Sequence, residues 1–157
     1  MHKFILVLGL VIFSWIAVAE ESPIFKASVD APVDQVHKAV YTALEEARMW
    51  VVFEANIGDS IKGMAGRFGD EYNQNGLEAI RSMVVCNAWY ANKVSNTDPD
   101  LLALCPLRVS VIHKQGVSSV LFVRPSIAAV NSPGLPLIKE IEQSIINAIT
   151  DALTSVK

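Results

Sequence analysis

The feature that most limits what this chain can fold into is a hairpin near its C-terminal end. Leu107 to His113 is a strand-like run, Lys114-Gln115-Gly116 is a turn, and Val117 to Val123 is a second β-branched run. A hairpin alone is marginal in water, so its apolar face must be covered by other elements. The cover follows directly. Ile138, Ile141, Ile145, Ile149, Leu153 and Val156 recur at helical spacing and mark a long amphipathic C-terminal helix after a Ser132–Pro136 loop.

The same reading extends backwards. Val33, Val36, Val40, Ala43, Leu44 and Ala47 step by threes and fours and form a second helix. Asp30 is placed to cap it, and Pro32 stands near its first turn. Ile24 to Val29 reads as a short strand, Met49 to Phe53 as a buried strand and Ala79 to Val85 as a further strand. Asp59 to Gly66 allows a short helix weakened by glycines, and Asn73-Gln74-Asn75-Gly76 signals a turn. Between Asn87 and Leu104 two short helices are expected, the second opening at Asp98 with Pro99 in its first turn. Interspersed helices and strands around an antiparallel hairpin predict an α+β fold, a mostly antiparallel sheet with two long helices packed on one face.

The N-terminus carries a different kind of signal. Met1-His2-Lys3 is a short basic start, Phe4 to Ile16 is apolar, and Ala17-Val18-Ala19 is a small-residue site followed by Glu20-Glu21. That order is a secretory signal peptide cleaved after Ala19, and the apolar run is short for a spanning helix. The expected protein is therefore a single domain over residues 20–157, periplasmic or secreted, with no membrane span after cleavage. Loss of Lys3 makes the mature chain one unit more negative than the −3 of the whole. This mild acidity argues against nucleic acid as a partner, which needs a basic patch.

Several strings resemble the DUF302 family of small α+β domains with a TBP-like fold. They are Ala43-Leu44-Glu45-Glu46-Ala47 running into Val51-Val52-Phe53-Glu54, then Asp98-Pro99, Leu101-Leu102 and Cys105-Pro106-Leu107-Arg108-Val109. The resemblance covers nearly all of residues 20–157 and implies a fold but no activity, since the family name denotes unknown function. Cys86-Asn87 and Cys105-Pro106 stand where apolar or small residues would be expected. The opening Ser28-Val29-Asp30-Ala31-Pro32-Val33-Asp34-Gln35-Val36 is also similar to START-like and Bet v 1-like helix-grip domains, but too few strands precede the last helix for that fold.

Candidate chemistry is sparse. Cys86 and Cys105 are the only cysteines, and an even pair in an oxidising compartment reads first as a structural disulfide. A redox or sulfur-handling pair is the alternative, although the spacing is far from C-x-x-C. His37 and His113 lie in no metal-ligand spacing, so they read as satisfied or surface side chains, with no metal and no cofactor expected. No nucleophile elbow, P-loop or dinucleotide fingerprint occurs, and Asp70-Glu71 is a solvated pair. Met64, Phe68, Tyr72, Met83, Asn87, Trp89 and Tyr90 gather around the glycine-bearing region and the residues after Cys86. They read either as a pocket or interaction surface or as ordinary core. The function implied is a non-catalytic module binding an apolar small molecule or an exported protein, with thiol redox chemistry as the alternative.

Overall fold

The computed structural model describes residues 22–156, so the leader read at residues 1–19 lies outside the described residues. Along the chain run β1 (Ile24–Val29), α1 (Val33–Glu46), β2 (Trp50–Asn56), α2 (Ile57–Gly63), α3 (Ala65–Phe68), β3 (Ala79–Cys86), α4 (Ala88–Thr97), a 3-10 turn (Pro99–Leu104), β4 (Leu107–Lys114), β5 (Val117–Val123), α5 (Pro125–Ala128) and α6 (Leu135–Ser155). The five strands form one sheet in the order β1-β5-β4-β3-β2, each pair antiparallel.

The central hairpin closes on two residues. Lys114 pairs with Val117, leaving Gln115 and Gly116 in the turn with φ of 50° and 80°. Two successive positive φ values are those of a type I′ turn, whose twist matches the strands it joins. From that turn the register aligns Val109 with Phe122 and Val111 with Val120, and then Met83 with Val109. Because side chains alternate, all of these point to one face, and all are buried.

α1 and α6 cover that face. α1 contributes Val36, Val40 and Leu44, four residues apart, and α6 contributes Ile138, Ile141, Ile145, Ile149 and Leu153. Full burial of each such side chain is worth about 1.5–3 kcal/mol, so these two stripes and the strand valines opposite them hold the layers together. The expected α+β arrangement, an antiparallel sheet with two long helices on one face, is the arrangement observed. No helix among the described residues is long and apolar enough to cross a membrane.

Three local expectations need correction. Asp30 does not cap α1: the N-cap is Pro32, and no side chain bonds there. The Ser132–Pro136 stretch is not wholly loop, because α6 already begins at Leu135 and takes Pro136 into its first turn, where a missing N–H costs nothing. The largest change concerns β2. It is an edge strand, not a buried one, and Trp50, Val52 and Phe53 are 49%, 60% and 62% exposed. Its register on β3 shifts between Val51 and Phe53, so Val52 is the extra residue of a bulge. A run of apolar residues looks the same at an edge as in the middle of a sheet, and only the pairing order distinguishes them.

Candidate functional site

The two cysteines converge. Val85 pairs with Leu107 at the end of the β3–β4 ladder, which brings Cys86, the next residue on β3, and Cys105, two residues before Leu107, to the same sheet end. Cys86 is the last residue of β3 and Cys105 follows the 3-10 turn, with its N–H donating to the Leu102 carbonyl at 3.0 Å. The Cys105–Pro106 peptide is cis. Both cysteines are half-buried free thiols, with no bridge formed between them.

They share one pocket. Around them stand Met49, Val85, Leu104 and Leu107, with Ile138 and Ile141 from α6. The pocket leaves about 30 Å3 for water-sized occupants. A single water needs ~10–15 Å3 on that measure, so the space suits something atom-sized. The apolar small molecule expected from the sequence does not fit there in this conformation. Burial pushes the Cys105 thiol above its ordinary value, and the charge that Cys86 can carry pushes it further in the same direction. A thiol held protonated is a poor nucleophile, because the thiolate is the reactive form.

Asn87 and Tyr90 build the pocket's wall. Asn87 caps α4, its side-chain oxygen accepting from the Tyr90 N–H at 3.1 Å, while its Nδ2 donates to the Arg48 carbonyl at 2.8 Å. Arg48 has φ of 61°, so this bond holds a strained turn between α1 and β2. The Tyr90 hydroxyl donates to Glu140 at 2.9 Å and ties α4 to α6. The Tyr90 hydroxyl is held above its usual value by burial and by Glu140.

The remaining predicted residues separate. Trp89 is 70% exposed on the outer side of α4, with Lys93 5.6 Å above its ring. Met64 and Phe68 are exposed on the α2–α3 arm, and Tyr72 lines a polar hollow of about 310 Å3 beside α2 with Asn56, Asp59 and Arg81. Met83 is fully buried in the core, so it is ordinary core and presents nothing to a partner. Only Asn87 and Tyr90 of that group meet the cysteines in the pocket, and Trp89 stands beside it.

Both histidines among the described residues are engaged. His37 Nε2 lies 2.9 Å from Glu54, and His113 Nδ1 lies 2.8 Å from the Ser118 hydroxyl. That hydroxyl donates to the Ala31 carbonyl, so its oxygen accepts and His113 carries its proton on Nδ1. Among the described residues no three His, Cys, Asp or Glu side chains group as metal ligands. Nothing in the sequence marks Met49, Leu104, Leu107, Ile138 and Ile141 as site residues, since each reads simply as a helix or strand position.

The family model for a domain of unknown function, DUF302, matches residues 25–152. The crystal structure of an uncharacterised conserved DUF302 protein from Bacillus stearothermophilus is similar over 85% of this chain and 99% of that one, with a TM-score of 0.72 and 15% identity. At that identity the likeness concerns the fold alone. No curated protein matches the chain.

Proposed function

The chain belongs to the DUF302 family, and we propose that this member is an exported, non-catalytic binding module whose ligand site is the pocket holding Cys86 and Cys105. The observation that carries the reading is the convergence of the chain's only two cysteines, nineteen positions apart, on one small apolar space. Export is supported by the three-part leader at residues 1–19. Binding is favoured over thiolate catalysis because burial keeps Cys105 protonated and no charged side chain among the described residues lines the pocket to activate it.

Mass spectrometry of the protein purified without reductant tests each part. A chain beginning at Glu20 supports export, and one beginning at Met1 refutes it. A native mass above the denatured mass, with the excess lost in C86S and in C105S, supports a ligand held by the pair. A denatured mass two hydrogens below the reduced chain, with no bound species, would make the pair a structural disulfide and overturn the reading.

A further inference from the structure

We propose that the Cys86–Cys105 pocket is a site for a soft monovalent metal ion, Cu(I), held by the two sulfurs with Met49 as the third soft donor. The inference rests on the reading of this pocket as the ligand site and names what occupies it.

Size comes first. About 30 Å3 admits an ion and excludes an organic ligand of ordinary dimensions. The donors come next. Cys86, Cys105 and Met49, three sulfur-bearing residues, line one pocket, and its other lining is aliphatic apart from Asn87 and Tyr90. The polar groups of those two are already committed, Asn87 to the Arg48 carbonyl and the Tyr90 N–H, and the Tyr90 hydroxyl to Glu140.

This donor set discriminates among metals. Structural zinc wants four ligands of sulfur, nitrogen or oxygen, and iron–sulfur clusters want four cysteines. Neither set can be assembled here, because no His, Asp or Glu lines the pocket and both described histidines have partners elsewhere. Thiolate and thioether donors select Cu(I), zinc or iron–sulfur clusters, and with the last two set aside the set points to Cu(I). Cys86 also immediately precedes the N-cap of α4, a ten-residue helix whose N-terminal end favours negative charge.

The proton balance is explicit. Both thiols give up their protons to solvent as two metal–sulfur bonds form, and the thioether adds without a proton change. One Cu(I) and two thiolates leave a net charge of −1 at the site. Copper keeps its oxidation state, so no oxidant or reductant is consumed.

The test uses the purified protein, fully reduced and free of oxygen, titrated with Cu(I) against a chromophoric Cu(I) chelator. The expected result is one Cu(I) per chain. C86S and C105S should each lower the affinity about a hundredfold or more, with far-UV circular dichroism unchanged to show that they fold. M49L should weaken binding by a smaller factor, and excess Zn(II) should not displace the copper. Retention of tight binding in either serine variant, or displacement by Zn(II), overturns the site. If the reduced protein shows two titratable thiols and takes no Cu(I), the metal assignment fails. The mass experiment described above then decides separately whether the pocket holds some other ligand.

Discussion

Glu142 is the carboxylate whose removal should cost this fold most. It lies on α6 and is 6% exposed. One oxygen accepts from the Arg124 guanidinium at 3.0 Å, and the other accepts from the Ser126 N–H at 3.0 Å. Those bonds tie α6 to the junction of β5 and α5, the segment that supplies Pro125 to the thiol pocket. Arg124 also lies 5.7 Å above the Phe25 ring, which extends the tie to edge strand β1. Burial by itself raises the Glu142 pKa, but the bonds from Ser126 and Arg124 outweigh it and hold the carboxyl below its usual range.

The magnitude follows from what E142M leaves behind. The largely buried Arg124 guanidinium loses its bond to Glu142 and the part-buried Ser126 N–H loses its acceptor, and breaking such a pair costs about 3–5 kcal/mol. Counting the two bonds separately, at about 1.5–3 kcal/mol for each hydrogen bond to a charged group, gives about 3–6 kcal/mol, which overlaps that range. For a domain of this size the melting temperature should fall by roughly 10–20 °C. The R124M/E142M double variant should lose at least ~1 kcal/mol less than the two single losses combined, because the Arg124–Glu142 interaction is then lost once and not twice.

The pH dependence has a definite sign. The native carboxyl titrates lower than an unfolded glutamate near ~4.3, so its contribution is complete above that value and disappears as pH falls through the native one. The stability gap between the wild type and E142Q should therefore be flat above about pH 5 and close on acidification. Urea unfolding followed by far-UV circular dichroism measures all of these quantities. A loss below ~1 kcal/mol for E142M, or strict additivity in the double variant, would refute the account of the pair.

Other expectations concern single positions. A Cβ on Gly58 would sit 3.0 Å from the backbone N of Ile80, so G58A should lift α2 from β3 and cost about 1–3 kcal/mol. Gly63 has no neighbour within 4 Å at that point, so G63A should stabilise by roughly 0.5–1 kcal/mol, and urea midpoints should separate the two variants. F122A removes a fully buried ring between sheet and helices and should cost about 3–5 kcal/mol in the same assay. V52K, at an exposed bulge on the β2 edge, should change stability by no more than about 0.5 kcal/mol while slowing aggregation measured by light scattering. In C86S, the remaining thiol should react with an aromatic disulfide reagent more slowly than in the denatured chain at neutral pH. Its rate should keep climbing beyond pH 9.0, the ordinary thiol value, because burial is the main cause of the shift.

Local signals in the chain determined a good deal by themselves. The Gln115-Gly116 turn, the α6 stripe and the Asp98 cap, whose side chain accepts from the Asp100 N–H at 3.2 Å, depend only on residues near one another. The α+β layering followed because a hairpin and two amphipathic helices can bury their apolar sides only against each other. Tertiary structure decided the rest. Trp50, Val52 and Phe53 form an apolar run that fits a central strand equally well, and it is strand order that leaves them at an edge. Met83 and Trp89 are both large and apolar, yet one is core and the other is outermost, because burial depends on which face a position finds itself on. The cysteines show the limit most plainly. Their identity and even number were legible, but their shared pocket depends on the Val85–Leu107 register and on where α6 lies across it. Those are long-range contacts, set by how layers fit together, and no local pattern of residues encodes them.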